Sequence, residues 1–271
     1  MKSKERINVV FYGEESRFFS LGKEINYFLA LSSEMEILVP GGYGYQRLGG
    51  LGKLSFLEKN PDIFKKTFSG ALSTMIDLYF YPSTPKIYYH QTKTTHKLTF
   101  PSMREIFFNK TNGNIIDRLF LVFIFMDKNP SRFKIISNIP TSTKEERELF
   151  DEERFFKENQ GLFYKKTYRN IGDNVQIIYT KSYKTAKLIS GIIEGEGIRV
   201  VDISQISIFN PPVVNLPISQ KDNCLVIENR EKPSLISSDL QKFFGCQFRQ
   251  GETEISDIIL VLGKLEKEWE Y

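Results

Sequence analysis

Apolar and polar positions follow two rhythms along the chain. Residues 7–12, INVVFY, are β-branched and aromatic and predict a buried strand; 25–31 (INYFLAL) and 35–39 (MEILV) predict two more, joined by the turn SSE. Asn60-Pro61 supplies a cap followed by proline at the first helical position. A helix is therefore expected from 62 to 75, with Ile63, Phe64, Phe68, Ala71, Leu72 and Met75 on one face. Segments 76–81 (IDLYFY) and 86–90 (KIYYH), parted by PSTP, predict a β-hairpin that presents tyrosines, a residue favoured at interfaces. Pro101 opens a short helix, SMREIFF. The helix after it, IIDRLFLVFIFMD at 115–127, is apolar nearly all round and is expected to be deeply buried. RFKIISNIP predicts a further strand. Residues 141–159 predict a charged helix with a capping box at Ser142 and Glu145 and an apolar stripe of Leu149, Phe150, Phe155 and Phe156.

From 174 onward strands and helices alternate: NVQIIYT, then the helix KTAKLISGIIEGEG, then IRVVDIS. After the proline-bearing loop FNPPVVNLPISQKD the scheme repeats with CLVIEN, KPSLISSDLQKFFG and DIILVLG. Two strand–helix–strand units imply a small α/β domain. The expected architecture is α/β with two domains, a mixed α/β sheet domain over 1–160 and a smaller α/β domain over 172–271.

Composition narrows the function. The chain has 271 residues, 41% hydrophobic and 26% charged, with 23 Phe against one Trp, so a packed, phenylalanine-rich core is expected. The formal charge of +4 suits an anionic ligand or surface. No Lys/Arg block reaches the density of a nucleic-acid arm, so nucleic acid is not expected as a partner. Cys224 and Cys246 are expected to be buried free thiols, since pairing them would require an oxidising compartment. His90 and His96 are expected in exposed turns and are too few for a histidine metal centre. Any metal chemistry would rest on carboxylates and a hard ion such as magnesium. The longest apolar run, Leu119–Met126, falls well short of the roughly 20 residues of a spanning helix. With neither a transmembrane segment nor a signal peptide, the chain as it stands is expected in the cytoplasm.

The glycine-rich stretch at 41–52, GGYGYQRLGGLG, sits behind the run Ile37–Val39 and Pro40. Such loops can cradle phosphate with backbone N–H groups. It lacks the Gly-Lys-Ser/Thr of a Walker loop, and LSFLEKNP is expected to separate GGLGK from the next helix. Arg47 is the cation in its middle. No Gly-x-Ser-x-Gly elbow offers a nucleophile. Glu14, Glu15 and Arg17 are expected in a loop after the first strand, and Glu24 just before the second. Carboxylates and an arginine gathered at a sheet rim can hold magnesium and a phosphate, whereas solvated loop charges are the plainer reading.

The order of pieces resembles a cell-envelope family. The C-terminal hundred residues are similar to the LytR C-terminal domain, through NVQIIYT, TAKLISGIIEGEGIRVVDI, CLVIEN and the closing DIILVLGK. The N-terminal part resembles a degenerate LytR–CpsA–Psr domain. Glu15-Ser16-Arg17 stands at that family's Asp-Ser-Arg-like segment, and Lys23-Glu24 at an Arg-Ser-Asp. Val39-Pro40-Gly41-Gly42 stands at its Ile-Pro-Arg-Asp, and Asp117-Arg118 is what remains of an arginine-rich helix. The family transfers polyprenyl-phosphate-linked glycopolymers to the cell wall with magnesium and a cluster of arginines. Gly41 and Gly42 in place of Arg-Asp remove a phosphate clamp and a metal-side carboxylate. The resemblance thus implies a non-catalytic binding or accessory protein without a cofactor, a pseudoenzyme whose ligand site draws on Glu15, Arg17, Glu24, Gly41, Gly42, Arg47 and Arg118. Its implied partner is a polyprenyl phosphate or another cell-envelope component. The competing reading is a working glycopolymer phosphotransferase that uses magnesium. The family also places the chain at the cell envelope if its N-terminus has been trimmed.

Overall fold

The computed structural model describes residues 5–89, 97–144, 147–206 and 224–271. His90, His96, Glu145 and the expected loop at 209–222 lie outside them. The chain divides into two compact units. The first gathers the residues up to Val39 with Tyr45–Leu72 and Ile76–Leu162; the second gathers Pro40–Gly44, Ser73–Met75 and Phe163–Tyr271.

The first unit opens with the strands β1 (Arg6–Phe11), β2 (Glu15–Gly22), β3 (Asn26–Ser32), β4 (Glu36–Val39) and β5 (Gly44–Arg47). Helices α1 (Leu51–Leu57) and α2 (Asp62–Leu72) follow, then β6 (Leu78–Tyr81), α3 (Met103–Phe108), β7 (Lys110–Thr111) and α4 (Ile115–Asp127). The strands β8 (Phe133–Ile135), β9 (Thr141–Lys144) and β10 (Arg147–Phe150) and helix α5 (Glu152–Asn159) complete it. Six strands form a mixed sheet in the order β7-β6-β1-β2-β3-β8, and four form a second sheet, β5-β4-β10-β9. In the larger sheet β1, β2 and β3 run antiparallel, while β6 lies parallel to β1 and β8 parallel to β3.

Alternation along the strands separates the two faces of that sheet. Ile7, Val9, Phe11, Phe19, Phe28 and Phe80 pack with Ile106 of α3 and with Leu121 and Val122 of α4. On the other face Tyr12 meets Phe64 of α2 with ring centroids 4.8 Å apart. The phenylalanine-rich core is present, and the stacked pair Phe11–Phe80, with centroids 4.6 Å apart, sits at its middle.

Several expectations for this unit are corrected. Glu15 and Arg17 lie in β2 and not in a loop, because Phe19 and Leu21 on the same face demand a strand. The glycine-rich stretch is no open loop: Gly44–Arg47 is a strand, and α1 starts at Leu51, immediately after Gly49-Gly50. The expected hairpin is not formed among the described residues, since β6 pairs with β1 and β7 and residues 85–89 form no strand. Tyr79 is buried there, where its hydroxyl donates to Asp62, and Tyr89 is exposed. Residues 141–144 pair antiparallel with 147–150, and of the expected helix only 152–159 are helical among the described residues. Helix α4 is not deeply buried: Leu121 and Val122 alone are fully enclosed along its length.

The second unit contains α6 (Lys166–Ile171), β11 (Asn174–Tyr179), α7 (Tyr183–Gly195), β12 (Arg199–Gln205), β13 (Leu225–Glu228), α8 (Leu235–Phe244), β14 (Gln247–Gln250), β15 (Ile258–Val261) and α9 (Leu265–Glu268). Its sheet runs β12-β11-β15-β13-β14. The crossover β11-α7-β12 is a parallel strand–helix–strand unit. The second such unit closes on β14, which lies parallel to β13; β15 enters between β11 and β13, antiparallel to the latter. Ile177, Ile178, Leu225, Ile227, Ile259 and Val261 are buried in this one sheet, with Val200 and Val201 half-buried. The cysteines are not free thiols: Cys224 and Cys246 form a disulfide that ties the start of β13 to the end of α8.

Three carboxylates in this unit are buried, and each has a structural task. Glu196, fully enclosed, accepts from Thr74 Oγ1 and the Met75 N–H, each at 2.7 Å, and faces Lys165 Nζ at 2.5 Å. Glu228 accepts from the Ser234 N–H at 3.0 Å and Ser237 Oγ at 2.7 Å, fastening the start of α8. Glu266 collects the N–H groups of Thr180, Lys181 and Ser182 at the entry to α7. Burial pushes the Glu266 carboxyl up, but these bonds outweigh it and hold its pKa below the usual carboxylate value. Gly195 ends α7 against Ser73, whose carbonyl oxygen would lie 1.5 Å from any added Cβ. No larger residue fits there.

Candidate functional site

Strands β1 and β6 are parallel neighbours, and their C-terminal ends deliver Tyr12 and Tyr81 to the same rim of the sheet. Crevices outside the carboxyl ends of parallel strands are where open α/β sheets bind ligands. A cleft of 450 Å³ opens at this rim, walled by α1 and by the loop that follows β6. The wall is fixed by Tyr12, whose buried hydroxyl donates to the Gly49 carbonyl at 2.8 Å and accepts from the Gly52 N–H at 2.9 Å. Burial raises the Tyr12 pKa far above its usual value, so the hydroxyl keeps its proton. Across from it the Tyr88 N–H donates to Gly49 at 3.0 Å. Gly49 must be glycine, because an added Cβ would come within 2.1 Å of the Tyr88 carbonyl.

Phe56, Leu57 and Tyr81 supply the apolar lining, and Lys59, Lys86 and Lys110 supply charge. All three lysines are exposed at the cleft, no carboxylate lines it, and none pairs with them among the described residues. The arrangement can hold an anion by point charges beside an apolar surface. Among the described residues that line it there is neither a nucleophile paired with a base nor a carboxylate able to transfer a proton. Sequence reasoning missed it because the three lysines come from the end of α1, from the loop after β6 and from β7, with no local motif linking them.

The residues singled out from the sequence take other places. Arg17 extends from β2 to α3, where it pairs with Glu105 and donates to the carbonyls of Thr99 and Phe100, both at 3.4 Å. Arg118 caps the C-terminal end of the same helix through the carbonyls of Ile106, Phe107 and Asn109, the last two at 2.9 Å. The two guanidinium groups lie over the stacked rings of Phe11 and Phe80, at 5.9 and 5.8 Å. The structure thus brings this pair to one helix, with their donors already engaged. Glu15 and Glu24 flank opposite ends of the eight-residue β2, about 25 Å of strand apart. Arg47 is on β5 of the other sheet, at 3.4 Å from Glu34. Gly41 and Gly42 belong to the second unit, where their N–H groups donate to the Glu270 carbonyl at 2.9 and 3.3 Å. The Leu48 and Gly49 N–H groups likewise go to Met35 and Ser33, each at 2.8 Å. Those amides of the glycine-rich stretch serve the fold.

The set does not fit a magnesium site, since Glu15 and Glu24 cannot share an ion and the arginines hold α3. Among the described residues no group of three His, Cys, Asp or Glu side chains is placed to bind a metal. No helix among them is long and apolar enough to cross a membrane.

No family model and no curated protein matches the chain. Distant likenesses exist among solved structures. Bacillus subtilis TagT aligns over 60% of this chain and 91% of its own, with 11% identity and a TM-score of 0.40. TagV of the same organism covers 59% and 98%, with 11% identity and a TM-score of 0.36. A transcriptional regulator of Enterococcus faecalis covers 73% and 90%, with 7% identity and a TM-score of 0.36. A further TagT structure is described as bound to LIIa-WTA.

Proposed function

We propose that the protein is a non-catalytic binding or accessory module, and that the cleft beside Tyr12 holds an anionic amphiphile. The observation that carries this reading is the set of three lysines, Lys59, Lys86 and Lys110, without a carboxylate partner among the described residues, around a partly apolar cleft. A phosphate headgroup would meet the ammonium groups, and an attached chain would lie along Phe56, Leu57 and Tyr81. The resemblance to LytR–CpsA–Psr proteins, carried by the segments around Glu15-Ser16-Arg17 and Val39-Pro40, makes a polyprenyl phosphate the ligand class of choice. We also read the first unit as a degenerate relative of that family's catalytic domain, the second as a LytR C-terminal-like domain, and the compartment as an oxidising one outside the cytoplasm. The disulfide supports the last point, because such bonds persist where thiols are not kept reduced.

Phosphotransfer requires cations preplaced where charge develops on the phosphoryl oxygens. Arg17 and Arg118 are instead committed to α3, which favours binding without turnover. The test is calorimetric titration of the full chain with farnesyl phosphate, with farnesol as the uncharged control. Binding of the phosphate alone is expected, weakened about tenfold or more in Lys59→Gln/Lys86→Gln and reduced by salt, which screens exposed charges within about 8–10 Å. Equal affinity in the double variant, or no binding by the parent, removes the assignment. Glycopolymer transfer from a polyprenyl-pyrophosphate donor in magnesium, abolished by Arg17→Ala, would restore the enzymatic reading.

A further inference from the structure

The layer formed by α3 and α4 exposes far more apolar surface than a side facing only water needs. Ile115, Ile116, Leu119, Phe120, Phe123 and Met126 of α4 all reach solvent, with Phe123 67% and Met126 72% exposed. Their spacing places them along one side of the helix. Helix α3 adds Met103, Phe107 and Phe108, the last 76% exposed. At about 200 Å² per large side chain, these nine residues leave on the order of 1,000 Å² open, roughly twice the largest patch of a typical soluble monomer. The inner side of the layer is well made: Ile106, Leu121 and Val122 close the core over Phe11, Phe19 and Phe80. The outer apolar side is therefore additional to what the fold requires.

Charge identifies the occupant. Between residues 97 and 135 the chain carries seven Lys and Arg against three Asp and Glu, an excess equal to the +4 of the whole protein. Two of the three carboxylates are occupied: Glu105 by Arg17 and Ser102, and Asp117 by the capping box with Asn114. Arg104 stands exposed beside Met103 and Arg132 stands exposed past the end of α4, whereas Lys128 is half-buried with its ammonium on the Gly22 carbonyl and Lys110 belongs to the cleft. A second copy docked face to face would set this positive excess against itself. A neutral apolar partner would leave the cations unused. An anionic bilayer takes both, with apolar side chains entering between headgroups and the cations meeting the phosphates. Helix α4 is about 20 Å long and cannot span, so it would lie in the plane of the interface.

We propose that the α3–α4 face docks the protein on a membrane surface that carries anionic headgroups. This surface is separate from the cleft, and its test is independent of the cleft's ligand. The full chain is floated with vesicles of phosphatidylglycerol mixed with phosphatidylcholine, and with vesicles of phosphatidylcholine alone. Binding at least about tenfold stronger to the anionic vesicles is expected, declining with added salt. Phe123→Ser/Met126→Ser should reduce it to background, and Arg104→Glu should weaken it several-fold. Should the serine variant be unstable, Phe123→Trp gives a second readout: its emission should shift to the blue on anionic vesicles only, against the constant signal of buried Trp269. No binding by the parent, unchanged binding by the serine variant, or no spectral shift in a folded Phe123→Trp protein overturns the proposal. Concentration-dependent dimerisation that the serine variant abolishes assigns the face to a second copy instead.

Discussion

Helices α4 and α7 are both thirteen residues long and meet opposite fates. Helix α7 encloses Thr185, Ala186, Ile189, Ser190, Ile192, Ile193 and Gly195, while α4, the richer in large apolar side chains, encloses two residues. The reason lies in what each helix faces. Helix α7 crosses over between the parallel strands β11 and β12, so its stripe meets a sheet along its full length. Helix α4 covers the phenylalanine face of the first unit with a narrow seam, and among the described residues the helix beside it is the six-residue α3. The polar surroundings differ in the same way. Around α7 the carboxylates are buried and engaged, Glu266 at its entry and Glu196 just past its end; around α4 exposed cations are in excess. Enclosure characterises the second unit, and presentation characterises the α3–α4 layer of the first.

The sharpest way to break this contrast is at Glu196. Glu196→Ala leaves the Lys165 ammonium, itself nearly fully buried, without its partner and frees the Thr74 hydroxyl and the Met75 amide. Loss of one member of a buried pair costs about 3–5 kcal/mol, which chemical denaturation should show as a lower midpoint. A change below about 1 kcal/mol would mean that the second unit is not closed around this residue. The next test sets the helices side by side. Ile189→Ala, in the fully enclosed stripe, should cost about 2–5 kcal/mol, and Phe123→Ala less than about 0.5 kcal/mol. Similar costs at the two sites would abolish the distinction.

The smallest effect concerns acid. The Glu266 pKa is lowered in the folded protein, so its contribution is fully present above the unfolded carboxylate value of about 4.3 and is lost as pH falls through the lower, folded value. Glu266→Gln should therefore cost about 1–2 kcal/mol at neutral pH and lose less stability than the parent on acidification. Parallel stability curves for the two proteins below pH 5 would contradict the assignment.

The elements with strong local signals were legible in the sequence. Dense β-branched runs marked β1, β11 and β15, the aromatic and aliphatic run NYFLAL marked β3, and the Asn60-Pro61 cap marked α2. Strand β2 was hidden because Glu15 and Arg17 look like loop residues until α3 is present to receive Arg17. The exposure of α4 could not be read from its composition, since burial depends on a partner surface and not on the helix itself. Pairing of Cys224 with Cys246 depends on β13 and α8 meeting across a separation of 22 residues. For the cleft, three lysines far apart in sequence become neighbours only once β1, β6 and β7 are paired. Arg17 and Arg118 were singled out as ligand-site residues; the fold does bring them together, over two stacked rings, but with their donors taken by the backbone and Glu105.

The outermost pairing of the large sheet joins Asn26 with Phe133. During synthesis β3 is made early, and its partner β8 follows only after β4 to β7 and four helices have emerged. At 5–20 residues per second the far edge of β3 waits about 5–20 s for that partner. For this interval Asn26–Ser32, nearly all of whose side chains are buried in the finished protein, presents an unpaired backbone edge to any strand nearby. The first unit is thus a late-closing sheet, and the nascent chain is where a chaperone would find its longest-lived adhesive edge.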